Sequence, residues 1–132
     1  MYILMYAMVN RLADVYANLN QAYMAALMVC PMVVIELWLM RGMYANRAAN
    51  LAIVVASILV FAAAWAMTRQ QTAIGDEQFL RSMIPHHSGA VLMCEQAPIE
   101  DAEIRDLCGT IIPGQQAEID QMKAILARLR AE

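Results

Sequence analysis

The chain has 132 residues, 61% of them hydrophobic and 16% charged, with a formal net charge of −3. That balance is too apolar for an ordinary soluble domain of this size. It also argues against a nucleic-acid partner, because the basic side chains that would neutralise phosphates are outnumbered by acidic ones.

Charge is spread unevenly. Residues 1–67 carry only Arg11, Asp14, Glu36, Arg41 and Arg47, while residues 68–132 carry six basic against ten acidic side chains, a net of −4. The division reads as a membrane anchor over 1–67, a linker over 68–75 and a water-facing domain over 76–132. Residues 1–9 are apolar but far short of the roughly 20 needed to cross a bilayer. They read as a partial span, the end of a helix whose beginning lies upstream, or as a short interfacial helix. They lack the basic start and small-residue cleavage site of a signal peptide. Residues 10–20 read as a polar connection or short amphipathic helix.

Residues 22–40 contain a single charge, Glu36, and have the length of a transmembrane helix, with Pro31 tolerated mid-span. Residues 51–67 are uncharged and form a second span, so the two make a helical hairpin. Arg41 and Arg47 lie in the loop between them, and the positive-inside rule places that loop in the cytoplasm. The 76–132 domain is then extracytoplasmic, on the periplasmic side of a bacterial inner membrane. In the first span Met24, Met28, Met32, Glu36 and Met40 recur every four residues. This row reads as flexible packing, or as a thioether ladder for a soft cation. A carboxylate at this depth is itself a functional candidate.

In the outer half, Gly75-Asp76-Glu77 marks a helix start. Phe79, Met83, His86, Ala90, Met93 and Ala97 form one row at helical spacing. Leu80, Ile84, His87, Val91 and Cys94 form a second row, giving a wide apolar face that holds both histidines of the chain. Pro85 should kink this helix and Pro98 end it. Asp101 starts another, in which Ile104, Cys108, Ile111, Gln115, Glu118, Met122, Ile125 and Leu129 fall on one seam. A short turn at 98–100 makes the two helices antiparallel neighbours. Residues equally far from the turn then meet: Met83, His86, His87, Gln115 and Glu118 collect in one layer, with Met122 one turn beyond and Met93 and the Cys94/Cys108 pair nearer the turn.

Thioethers and imidazoles together suit copper(I), whereas histidine with glutamate suits zinc or iron. The same histidines can equally be a satisfied core pair with Glu118 as partner and no metal. Cys94 and Cys108 admit a disulfide, copper-binding thiolates or two free buried thiols. The chain has no Glu-x-x-His pattern, Gly-rich phosphate loop or nucleophile elbow, so it does not read as an enzyme. Two helices alone cannot cover so wide an apolar face, which predicts a homo-oligomer, most simply a dimer, that completes a four-helix bundle.

The segments Phe-Leu-Arg-Ser-Met-Ile-Pro-His-His-Ser-Gly-Ala (79–90) and Ile-Ile-Pro-Gly-Gln-Gln-Ala-Glu-Ile-Asp-Gln-Met-Lys (111–123) resemble the bacterial family known as domain of unknown function 305. The likeness covers about residues 75–129, and the membrane half, with Met43-Tyr44, is similar to the anchored branch of that family. The resemblance implies a ferritin-like helical fold and copper binding, with Met83, His86, His87 and Met122 as ligands and Glu118 as ligand or neighbour. Some relatives carry the helical unit twice, where this chain carries it once.

The expectation is therefore an all-α chain: a transmembrane hairpin, then an extracytoplasmic antiparallel two-helix domain that is half of a ferritin-like bundle. Its function would be copper(I) sequestration, tolerance or delivery. The alternative is an accessory membrane subunit that docks a partner complex without metal.

Overall fold

A computed structural model describes residues 1–131 and contains no strand among them. Two 3-10 turns, Ile3–Met8 and Leu12–Asp14, precede four α-helices: α1 Leu19–Leu39, α2 Arg47–Gln70, α3 Asp76–Gln96 and α4 Ala102–Leu129. The chain divides into two compact units. One comprises Met1–Tyr2 with Leu19–Ala73, the other Ile3–Asn18 with residues from Ile74 onward.

The first unit is the α1–α2 hairpin. Both helices are long and apolar enough to cross a membrane, judged by length and composition. Pro31 sits within α1 without ending it. The neighbouring Cys30 is buried, as is Ala64 of α2, so small side chains let the two backbones approach. Asn46 caps α2 by accepting from the Ala49 N–H at 3.0 Å. Helix α2 runs on to Gln70, three residues past the expected span, and Gln71 closes it in the left-handed region. The connection expected at 68–75 is correspondingly shorter. At the open end of the hairpin, Tyr23 donates to the Thr72 carbonyl at 2.8 Å and the Asn20 amide to Gln71 Oε1 at 3.2 Å. Most apolar side chains here face outward, among them Met28, Ile35, Trp38, Leu51, Ile58 and Trp65.

The second unit is the α3–α4 hairpin with the N-terminal segment strapped across it. Asp101 caps α4 through the Glu103 and Ile104 N–H groups. Helix α3 ends at Gln96, just before Pro98. Leu80 and Ile84 of α3 pack with Ile119, Met122 and Leu126 of α4, and Tyr16 of the strap joins them. The strap was expected to be a partial span, an interfacial helix or a polar connection. Residues Ile3–Asn18 pack with the α3–α4 unit, and Asn10, Asp14 and Asn18 are tied to α3 and α4.

The buried stripes differ from the expected ones by one register. On α4 the buried positions are Ile119, Met122 and Leu126, rather than a seam through Glu118, Met122 and Ile125. The two alternatives share Met122. The observed one places isoleucine where the other would bury a carboxylate, and burying an unpaired charge is the costlier choice. Glu118 moves to the rim. On α3 the second row turns inward, whereas Phe79, His86, Met93 and Ala97 of the first row are exposed.

Candidate metal centre

His87 projects from α3 between the buried Ile84 and Val91 and is itself mostly buried, with 13% of its side chain exposed. Its Nδ1 lies 3.0 Å from Oε2 of Glu118 on the rim of α4. The two atoms are within ion-pair distance, but the oxygen is off the line of the ring N–H, so Nδ1 is left without an aligned hydrogen bond. Met83 lies one helical turn from His87 and packs against the cluster that contains Met122. The imidazole of His87 and the carboxylate of Glu118 thus meet across α3 and α4, while Met83 and Met122 belong to the apolar cluster of the same two helices, with Gln115 half-buried one turn before Glu118.

The other expected ligands are placed elsewhere. His86 is exposed, and its ring centroid is 5.9 Å from that of His87 at an interplanar angle of 58°. Adjacent residues on a helix diverge by about 100°, so one histidine turns inward and its neighbour outward. The single layer expected to hold both is split. Met93 is exposed. Cys94 and Cys108 are joined in a disulfide with Cα atoms 5.4 Å apart. In that form they cross-link α3 and α4 near the turn and offer no thiolate to a metal. Among the described residues, no three His, Cys, Asp or Glu side chains gather as a metal-binding group. Glu36 and the methionine row belong to the other unit, all but Met40 within α1. There Glu36 lines an open cleft of about 440 Å³ with Asn46 and Asn50.

A buried polar cluster was not anticipated. Asp14 of the strap is 2% exposed and Ser88 of α3 is 1% exposed. The Ser88 hydroxyl donates to Asp14 Oδ2 at 2.8 Å and accepts from the Asn10 N–H at 3.0 Å. Lys123 of α4 pairs with the other oxygen of Asp14. Two further hydrogen bonds hold the strap: Asn18 donates to the Arg81 carbonyl at 3.3 Å, and the Asn10 amide to Glu95 at 3.1 Å. Gly89 permits the crossing, because a Cβ there would lie 3.2 Å from the Met8 carbonyl oxygen. Ser88 and Lys123 are the immediate neighbours of His87 and Met122, so the strap fixes both helices at the level of the centre. The serine and glycine after the histidines were the available signal, small polar and absent side chains in an otherwise bulky helix.

Residues 60–126 match the family model described as Domain of unknown function (DUF305). The match begins inside α2, earlier than the segment 75–129 that carries the motifs. The uncharacterized protein L153 of Acanthamoeba polyphaga mimivirus is 36% identical over 119 residues, which span 89% of this chain and 76% of that protein. No solved structure matches the chain.

Proposed function

The chain belongs to the DUF305 family, and on that footing we propose that it is a membrane-anchored metal-binding protein that holds copper(I), rather than an enzyme. The observation that carries this reading is the donor set around His87. The mostly buried His87 imidazole faces the Glu118 carboxylate at the rim, and Met83 and Met122 lie one helical turn from them on α3 and α4. Hard-ligand metals want several nitrogen or oxygen donors, and this site offers two. Thioethers shift the preference to a soft monovalent ion. Glu118 lies beside Nδ1, and Nε2 is the ring nitrogen left for the ion. Met83 and Met122 complete the set with neutral sulfur, which binds without releasing a proton. His86, turned about 100° away on α3 and exposed, is not part of this inner set.

The membrane assignment rests on the two apolar helices and on one topological argument. The strap precedes α1, whereas α3 and α4 follow α2, yet strap and hairpin share hydrogen bonds. Two spans return the chain to the side it started from, and one or three would not. With Arg41 and Arg47 at the cytoplasmic loop, the metal-binding unit faces the periplasm of a bacterial inner membrane. A second copy of the hairpin, packed on the exposed Phe79, Ile104 and Leu107, would give a four-helix bundle of the ferritin-like kind.

Copper(I) titration of the full chain in detergent, against a colorimetric chelator, tests the reading. His87→Ala and Met122→Leu should each weaken binding by roughly tenfold or more, as loss of groups that hold or orient a metal commonly does. Unchanged affinity in both would leave a second reading, an accessory membrane subunit in which His87 and Glu118 are only a structural pair. The absence of a three-membered His, Cys, Asp or Glu group among the described residues is what favours that alternative.

A further inference from the structure

Glu36 is the only carboxylate side chain between Leu19 and Ala73, and among the described residues no basic side chain pairs with it. It lies one turn before the end of α1 and is exposed. A carboxylate in an apolar span is costly unless something positive answers it. Glu36 lines the cleft of about 440 Å³ at the loop end of the hairpin, a volume within the range of small-ligand pockets. The cleft is graded. Glu36 of α1, Asn46 and Asn50 of α2, and Tyr44 of the loop line its polar end. Val33 and Ile53, each one turn further from the loop than Glu36 and Asn50, line its apolar end. Polarity therefore falls from the loop toward the middle of the hairpin, as it does from the headgroups of a bilayer to its hydrocarbon.

The hydrogen bonds already made define what is left for a ligand. Asn46 Oδ1 accepts from the Ala49 N–H at 3.0 Å, which leaves the Asn46 amide N–H groups. The Asn50 amide donates to the Tyr44 carbonyl at 3.0 Å, which leaves Asn50 Oδ1 as an acceptor. Glu36 adds two acceptor oxygens and a negative charge. The loop that closes the cleft carries Arg41 and Arg47, both exposed. The complement of this set is an N–H cation joined to an anion and followed by an apolar tail.

We propose that the cleft binds the headgroup of a phospholipid that ends in a primary ammonium. The ammonium donates to Glu36 and Asn50 Oδ1, charge-assisted bonds that a trimethylated ammonium cannot make. The phosphate accepts from the Asn46 amide at the N-terminus of α2, on the side of the two arginines, where an anion is favoured. The first carbons of the tails lie over Val33 and Ile53. Placing the cleft at the bilayer boundary rests on the spanning hairpin proposed above, whereas the headgroup preference does not and is measured in micelles.

The full chain, stripped of lipid in detergent, is offered equal amounts of three phospholipids with the same acyl chains. Their headgroups are phosphoethanolamine, phosphocholine and phosphoglycerol, and native mass spectrometry reads which remains bound. One phosphoethanolamine lipid per chain should be retained over each of the others by roughly tenfold, as expected for hydrogen bonds to a charged group. Glu36→Gln should erase that preference. Ala49→Leu leaves Glu36 in place, fills the cleft that Ala49 lines, and should lower retention of every lipid. It keeps the test open if the glutamine variant fails to fold, and unchanged helical circular dichroism identifies the variants that do fold. Equal retention of the three lipids by the parent, or an unchanged preference in Glu36→Gln, overturns the proposal. Free phosphoethanolamine held as tightly as the lipid would overturn the lipid as occupant. If impermeant labelling shows that the hairpin does not span and the preference persists, the spanning reading fails alone. If the hairpin spans and the preference is absent, the headgroup site fails alone.

Discussion

Asp14 carries a carboxylate into a place where almost no water reaches it, and its partners decide whether the fold tolerates it. Ser88 supplies one hydroxyl and Lys123 the compensating charge. Breaking a buried pair from one side leaves an uncompensated charge, which typically costs about 3–5 kcal/mol. Lys123 is 30% exposed in its side chain, so water can replace part of what it gives and the lower end applies. Lys123→Ala should therefore destabilise the strapped unit by about 3 kcal/mol, seen as a lower midpoint in denaturant-induced loss of helicity. Adding Asp14→Asn to that variant should restore part of the loss, because the amide carries no charge to strand. A double variant no more stable than Lys123→Ala would show that the carboxylate is not the source of the penalty. None of this was legible in the residues 10–20, whose polarity reads as a connection. A lone aspartate among small and apolar residues does not announce a partner 109 positions away.

At the scale of the helices, much was legible. Asp76-Glu77, Pro98 and Asp101 mark the ends of α3 and the start of α4 through capping chemistry that acts within a few residues. The short turn makes α3 and α4 antiparallel, but equal distances on either side of it set His87 opposite Ile111–Gln115, and its observed partner Glu118 lies about one turn further along α4. What periodicity could not decide was the register. Rows one residue apart on α4 both repeat at helical spacing, and only the penalty for burying Glu118 chooses between them. The same ambiguity on α3 merged an inward and an outward histidine into one layer. The disulfide bears on this hairpin directly. It closes a loop of sequence separation 14, worth about 3 kcal/mol in the chain-entropy model. A reducing agent should lower the melting temperature of the second unit, whereas a Cys94→Ala, Cys108→Ala chain should melt at the reduced value and ignore the reductant. Gly89 offers a test of the strap itself. Gly89→Ala favours the helix by propensity but presses a methyl against the Met8 carbonyl. Faster amide exchange at Asn10 in that variant would register the displaced strap, and unchanged exchange would mean that the crossing has slack.

For the whole molecule, the chain order is informative because one folded unit is assembled from segments on both sides of the hydrophobic hairpin. Composition alone separates an apolar half from a charged half, and so assigns the first residues to the anchor. Hydrogen bonds donated by Asn10 and Asn18 to α3, and accepted by Asp14 from Ser88, group them with the charged half instead. This restricts how the chain can thread a bilayer. If α1 and α2 both span, the strap and α4 lie on one side and the loop at Gly42 on the other. If the hairpin lies along the surface, all three are reachable from the same side. Single cysteines at exposed positions distinguish these arrangements in sealed vesicles of the Cys30→Ala chain, with the native disulfide left intact. Arg11→Cys and Gln121→Cys should react with an impermeant maleimide from the same side, and Gly42→Cys should react only after the vesicles are opened or inverted. Labelling of all three from one side would remove the spanning hairpin. Labelling of positions 11 and 121 from opposite sides would contradict the strap, because no bilayer can separate the paired Asp14 and Lys123.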